Sequence, residues 1–199
     1  AGIALETVDG GITENISVNN ISMQNVKCPI FIRLGNRARP CCPDHVVNSA
    51  GKLGKIIITN IVATGADSIG CAISGIQNHY IEELTLRNIN ISFAGGINAQ
   101  IDNPPEKENK YPSHNMFGTL PAFGFFIRHV NNLFIDNMTL KLEQEDKRPA
   151  LQLDDVKNPI ISNISVLSPN KNQVPVVLKK VEKPVIKDLF VNGIPKKSK

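Results

Sequence analysis

The 199 residues contain no tryptophan, and aromatic residues make up only 5%. Burial therefore falls to Ile, Val and Leu, side chains that suit strands better than helices. No apolar run approaches the length needed to span a bilayer. Neither an initiating Met nor a secretory leader stands before the first strand-like residues, so targeting signals do not reveal a compartment. The net charge of +4 is too small to point to nucleic acid. Three of the lysines lie in "GIPKKSK" at 193–199, which reads as a frayed basic tail. Ser-nucleophile motifs and phosphate-cradling glycine loops are absent, and His45, His79, His114 and His129 have no metal-ligand spacing. No metal and no cofactor is expected.

Cysteine is scarce too. Cys28, Cys41, Cys42 and Cys71 match no zinc pattern, and the adjacent pair is poorly placed for a mutual disulfide. They read as buried or incidental thiols. A bridge from Cys41 or Cys42 to Cys28 or Cys71 stays open.

What is present is an internal repeat. "ENISVNNI", "GKIIITNI", "EELTLRNI", "NNLFIDNM", "KNPIISNI" and "EKPVIKDL" are alternating strands that close on Asn or Asp plus an apolar residue. The anchors are Asn20, Asn60, Asn88, Asn137, Asn163 and Asp188, separated by 40, 28, 49, 26 and 25 residues. The two shortest steps give a unit of about 25 residues, a solenoid length. The longer steps then contain insertions. The leucine-rich spacing LxxLxLxxN is missing, and no useful amphipathic helix lies between the strands. The pattern predicts an all-β parallel β-helix of roughly five to seven coils with two long loop insertions.

The anchor has a local cause. Asn tolerates the left-handed backbone needed for a sharp bend. The next residue, as in Ile21, Ile61 and Ile89, then turns inward, and stacked amides can bond along the stack. The same pattern creates N-x-S/T sequons at Asn15, Asn20, Asn90, Asn137 and Asn163, read here as by-products of the repeat.

Two segments break the repeat, at 33–54 and 95–124. Loops this long in a compact fold are functional or disordered. The second holds Tyr111, His114, Met116 and Phe117 and is expected to pack. The first opens with Arg33, Arg37 and Arg39, three of the six arginines. Guanidinium forks bind carboxylates in a bidentate manner, so an acidic sugar polymer is a natural ligand. Asp154-Asp155 lies where a strand meets a turn. Strand neighbours point to opposite faces, so a structural role is expected rather than an acid pair. Glu82-Glu83 reads as a solvent-facing strand start. His79 and His129, just before repeat strands, are expected to bond a turn.

The stretches "GIALETVDGG", "NISVNNISMQNVKCPIFIRLGNR", "NIVATGADSIGCAISG", "HYIEELTLRNINISFAGG" and "YPSHNMFGTLPAFGFFIRHVNNLFIDNMTL" together resemble glycoside hydrolase family 28, the polygalacturonase-like pectin-degrading enzymes, bacterial members in particular. The resemblance spans nearly the whole chain. It implies a right-handed parallel β-helix and inverting hydrolysis of galacturonate polymers, with one carboxylic acid protonating the leaving oxygen and carboxylate activating water. The family places those groups in Asn-Thr-Asp, Asp-Asp and Gly-His-Gly motifs that precede the matched segment, and that series does not occur here. Asp154-Asp155 lies far beyond the family's pair. The next family motif, Gly-x-Arg-Ile-Lys-Thr, matches Gly2–Thr7 with Ala4 in place of Arg and Glu6 in place of Lys. The family's Tyr after its Pro-Ile-x-Ile strand falls at Asn36.

The resemblance therefore implies the C-terminal portion, 1–199, of a single domain cut in mid-strand. The catalytic residues are expected upstream of residue 1. Glu6, Arg33, Asn36, Arg37 and Arg39 are the substrate-contact candidates. The implied partner is acidic polysaccharide, with no nucleic acid and no membrane, in a protein that is secreted or periplasmic and monomeric at full length. A non-catalytic carbohydrate-binding or adhesion module is the alternative. A lyase would need calcium-binding acids and a basic proton abstractor, and nothing clusters that way. The isolated chain is expected to expose strand edges and to be inactive and prone to aggregate.

Overall fold

The computed structural model describes residues 1–199 and contains strands but no helix. The strands are β1 (Ile3–Thr7), β2 (Ile12–Gln24), β3 (Ile30–Leu34), β4 (Lys52–Ala66), β5 (Cys71–Ser74), β6 (Ile81–Phe93), β7 (Phe125–Leu142), β8 (Leu151–Lys157), β9 (Ile160–Leu167), β10 (Val176–Glu182), β11 (Val185–Ile186), β12 (Leu189–Val191) and β13 (Ile194–Lys196). They form one large sheet in which every pair of strands is parallel except β12 with β13.

The pairing resolves into ladders. One runs β1–β3–β5–β7–β8–β10 and the other β2–β4–β6–β7–β9, with β11 and β12 both on β9. The long strand β7 joins both: its first half pairs with β5 and β8, its second with β9. The register is the repeat read from the sequence. Ile21, Ile61, Ile89, Met138, Ile164 and Leu189 stand opposite one another in succession.

All six anchors adopt left-handed backbone, from φ 52 at Asn137 to φ 58 at Asn20. A second column of left-handed residues, Asn15, Lys55, Glu83, Asn132, Asn158 and Lys183, precedes the anchors at a constant offset. Only half of this column is Asn, which is why sequence alone shows the first column and not the second. Each left-handed residue bends the chain and redirects the side chains that follow, so one continuous "strand" can wrap a core.

The anchor amides bond along the stack as expected, but only in part. Asn60 Nδ2 donates to Asn20 Oδ1 at 3.0 Å, Asn88 to Asn60 at 2.9 Å and Asn137 to Asn88 at 2.9 Å. Asn163 instead donates to Asp136 Oδ1 at 2.8 Å, because a carboxylate one position earlier is the stronger acceptor.

Inside, like residues stack on like. Leu5, Ile32, Ile73, Ile127, Leu153 and Leu178 form one row, and Val18, Ile58, Leu86, Ile135, Ile161 and Ile186 another. All but Leu5, Val18, Leu178 and Ile186, which pack against it partly buried at the two ends, belong to a single buried cluster running the length of the stack. Each such side chain fully removed from water contributes about 1.5–3 kcal/mol. At the β1/β2 end the row is incompletely covered: Leu5, Ile16, Val18, Ile21 and Met23 are only partly buried, and Ile12 is exposed.

The basic tail is not frayed. Residues Ile194–Lys196 pair antiparallel with β12, Lys199 N donates to Val176 O at 3.0 Å, and Leu178 N donates to Lys199 O at 2.8 Å. The backbone of this segment thereby satisfies part of the open edge of β10, which solvated lysines alone would not do.

Candidate functional site

The outward face of the β1–β3–β5–β7–β8–β10 ladder carries two rows. One reads Ala4, Phe31, Ala72, Phe126, Gln152, Val177. The other reads Glu6, Arg33, Ser74, Arg128, Asp154, Lys179. At a strand spacing of ~4.8 Å this polar row is about 24 Å long.

The 95–124 segment covers the middle of that face. Phe117 and Leu120 bury themselves with Phe31, Ala72, Phe126 and Cys28. Arg33, only 1% exposed, fixes the segment: Nη1 donates to Ser74 Oγ at 3.0 Å and Gly75 O at 2.9 Å, and Nη2 to Glu106 O at 2.8 Å. Its guanidinium also lies over the Phe117 ring. Burial, then the neighbouring charge of Arg128, pulls Arg33 down to about 10, which leaves it cationic at neutral pH.

The three arginines of the first loop do not act together. Arg33 is enclosed, while Arg37 pairs with Asp9 through Nε at 3.0 Å and a second contact from Nη2. That pairing holds the Asp9 carboxyl below its usual range. Arg39 is exposed and uses its backbone N–H on Asp9 Oδ1. The backbone N–H of Asn36 donates to Glu108 O at 2.7 Å, and its side-chain oxygen is buried without a partner. Glu6 stays on the exposed end of the row, with partial burial pushing its carboxyl upward. Its partner across the ladder is Arg33, whose Nη1 and Nη2 are engaged elsewhere, and the charge of the N-terminal amine opposes the effect of burial on Glu6.

A denser arrangement sits at the far side of the same row. His129 Nδ1 lies 2.6 Å from Asp155 Oδ2, and its Nε2 lies 2.8 Å from Glu106 Oε1. The imidazole therefore bonds two carboxylates rather than a turn, which corrects the sequence expectation. His79 contributes only backbone, in a bridge with Ile76.

Tyr80 donates its hydroxyl to Asp155 Oδ2 at 2.8 Å. Burial and then that carboxylate push Tyr80 up to about 12, so it remains a donor. Arg128 Nη1 donates to Pro104 O at 2.7 Å and meets Glu106 Oε1 at 3.4 Å. Burial would raise the Glu106 carboxyl, but His129 and Arg128 outweigh it and hold the group below its usual range. Asn103 bridges the row, donating to Asp154 Oδ2 at 2.5 Å and accepting from Gln152 at 2.6 Å.

These groups line a cavity of about 180 Å³ formed by Gln77, Glu106, Arg128, His129, Asp154, Asp155 and Lys180. Asp154 and Asp155 both reach it, contrary to the opposite-faces expectation. The reason is backbone: Asp155 is left-handed at φ 53, as are His129 at φ 53 and Lys180 at φ 49. A left-handed corner turns the second residue of each pair to the side of the first.

Sequence reasoning did not assemble this cluster. The signal was available in the repeat: Arg128-His129, Asp154-Asp155 and Lys179-Lys180 occupy the same two register positions. Glu106 leaves no such trace, because it arrives on an insertion.

No group of three or more His, Cys, Asp or Glu is placed to hold a metal ion. All four cysteines are free, with Cys28 and Cys71 buried and Cys41 and Cys42 exposed, so the bridge left open in the sequence is not formed. Burial pushes the Cys71 thiol well up, which keeps it inert. No helix is long and apolar enough to cross a membrane. Comparison with protein-family models, curated proteins and solved structures finds no match.

Proposed function

We propose that this chain is the C-terminal section of a right-handed parallel β-helix of the polygalacturonase-like family 28. In this reading the whole protein hydrolyses a galacturonate-containing polysaccharide with inversion, outside the cytoplasm. The observation that carries it is the polar row from Glu6 to Lys179, on the outward face of a long parallel ladder whose register repeats at solenoid intervals. The row carries mixed charge, and its uncovered ends, at Glu6 and at Lys179, are set along one line that suits an extended acidic glycan better than a compact ligand. Ala4 and Glu6 lie at its exposed end, where the family motif would place two cations, so the preferred glycan differs from plain polygalacturonate. The partly covered apolar row at β1 and β2 supports a further coil stacking there.

This section supplies cleft wall rather than catalytic acid. The test is to compare the complete gene product with the 199-residue chain on pectic polysaccharides, following the anomer released by NMR. Turnover by the complete protein with an inverted product, and none by the chain, is the expected result. Turnover by the chain that survives replacement of Asp154 and Asp155 would overturn the placement of the catalytic groups.

A second reading is a non-catalytic carbohydrate-binding module. The observation that favours it is that the 95–124 segment already buries Arg33 and Arg128 in the middle of the row. Upstream coding sequence lacking the Asn-Thr-Asp, Asp-Asp and Gly-His-Gly series would decide for it.

A further inference from the structure

The loop between β3 and β4 carries two thiols that the proposed function does not use. Cys41 and Cys42 are adjacent, exposed and free, with their sulfurs 3.6 Å apart. The other two thiols, Cys28 and Cys71, are buried. The exposed pair sits in a constrained piece of chain. Pro40 and Pro43 flank it, fixing their own φ and holding Cys42 to extended backbone. His45 N donates to Cys42 O at 3.1 Å and closes a turn just beyond the pair. Before the pair, Arg37 N and Ala38 N both donate to Val8 O, and the Arg37 side chain holds Asp9. After it, Lys52 N donates to Gly11 O at 2.9 Å. Both ends of the loop are thereby tied to the turn between β1 and β2.

Adjacent thiols can join directly or share an ion. A disulfide needs about 2.05 Å between sulfurs and closes a tight ring through the Cys41–Cys42 peptide. An ion between the sulfurs adds an atom to that ring and needs no contact between them. Thiolates select soft ions, chiefly Cu(I), Zn²⁺ and iron–sulfur clusters. Zinc and the clusters take three or four protein ligands. No third His, Cys, Asp or Glu is placed to complete such a set. A monovalent soft ion is satisfied by two thiolates, which leaves Cu(I).

We propose that Cys41 and Cys42 form a two-sulfur chelating site for Cu(I). Both thiols release their protons to water as the ion binds, so the occupied site carries one net negative charge. The surroundings suit that charge. Cys41 shares a hollow of about 410 Å³ with Arg37, Arg39 and His45. Asp9 lines it too, but its carboxylate is matched by Arg37. Arg39 meets Asp9 only through its backbone N–H, which leaves its guanidinium to balance the new charge. The site is independent of the function proposed above and holds for either reading of it.

The test offers the reduced 199-residue chain Cu(I) as its bicinchoninate complex, without oxygen, and follows the colour lost by the chelator. The chain is expected to withdraw about one equivalent. Cys41→Ser and Cys42→Ser, both on exposed positions outside the core, are each expected to weaken binding at least about tenfold. Bound copper is expected to protect Cys41 and Cys42 from iodoacetamide, read by peptide mass mapping. Failure to withdraw copper, unchanged affinity in either Ser variant, or protection confined to Cys28 and Cys71 would each overturn the proposal. So would tighter binding of Zn²⁺ than of Cu(I), since that requires a fuller ligand set.

Discussion

Asp146 and Arg148 form an ion pair with no solvent access to either side chain, at 2.7 Å between Asp146 Oδ2 and Arg148 Nη2. Asp146 Oδ1 also accepts from Arg148 Nε and from its backbone N–H. The remaining guanidinium donors reach Leu120 O and Ser68 O, and Asp146 Oδ2 accepts from Ile97 N at 3.3 Å. Three separate stretches of chain are thus tied by one arginine. Replacing Asp146 by Ala leaves a buried cation with carbonyl partners but no counter-charge, and should cost about 3–5 kcal/mol. Urea unfolding measures this. A loss below about 1 kcal/mol, the size of an exposed pair, would mean the pair is not sealed as described.

The left-handed corners predict a pattern of tolerance rather than a single loss. Asn88 has φ 53 and both accepts from Asn137 and donates to Asn60. Asn88→Gly keeps the backbone and loses only the exposed amide bonds. Asn88→Val loses the bonds and places a β-branched side chain where its Cβ crowds the following carbonyl. The Val variant should be less stable than the Gly variant by about 1–2 kcal/mol. Equal denaturation midpoints would show that the corner conformation is not what Asn supplies.

These corners also show how far the fold was legible. The anchors were visible because the bend needs Asn or Asp and the next position needs a buried aliphatic, so Asn60-Ile61 and Asn88-Ile89 repeat as pairs. The second column was hidden because Lys55, Glu83 and Lys183 adopt the same conformation without advertising it. The tail was misread because lysine side chains look solvated whether or not their backbone is paired. Arg33 looked like a ligand contact because charge at a loop start is ambiguous. Only the insertion folding back, 73 residues later at Glu106, buries it. Contacts between a repeat and an insertion obey no sequence period, and so the Glu106–His129–Asp155 arrangement was out of reach.

The same arrangement gives a pH dependence with a defined sign. Glu106 is held below its usual range by His129 and Arg128 despite the opposing effect of burial. A carboxyl depressed in the folded state adds stability at pH above its unfolded value of about 4.3. That stability disappears as pH falls through the folded value. Glu106→Gln lacks this contribution at every pH. Thermal midpoints of wild type and variant should therefore differ at pH 6 and converge at acid pH. A gap that persists unchanged to acid pH would show that Gln disturbs packing rather than removing a charge.

Under the proposed function, the exposed end of the polar row is where substrate choice is most directly tested. Ala4 and Glu6 alternate outward on β1 with Ile3 and Thr7 turned in, so new side chains at both positions point to solvent without touching the core. Their partners across the ladder are Phe31 and Arg33, and both are already packed beneath the 95–124 segment. Neither can supply a free cation to a glycan lying along β1. If the proposed hydrolase reading holds, Ala4→Arg with Glu6→Lys in the whole gene product adds two donors and removes a repelling carboxylate. One charge-assisted bond to a substrate carboxylate is worth about 1.5–3 kcal/mol. The double variant should then raise kcat/KM on unesterified polygalacturonate at least about tenfold, while lowering or leaving unchanged the rate on the natural glycan. Glu6→Gln, which removes the repulsion without adding a donor, should give a smaller rise of the same sign. If neither variant changes the preference between charged and methyl-esterified substrate, β1 does not face the glycan.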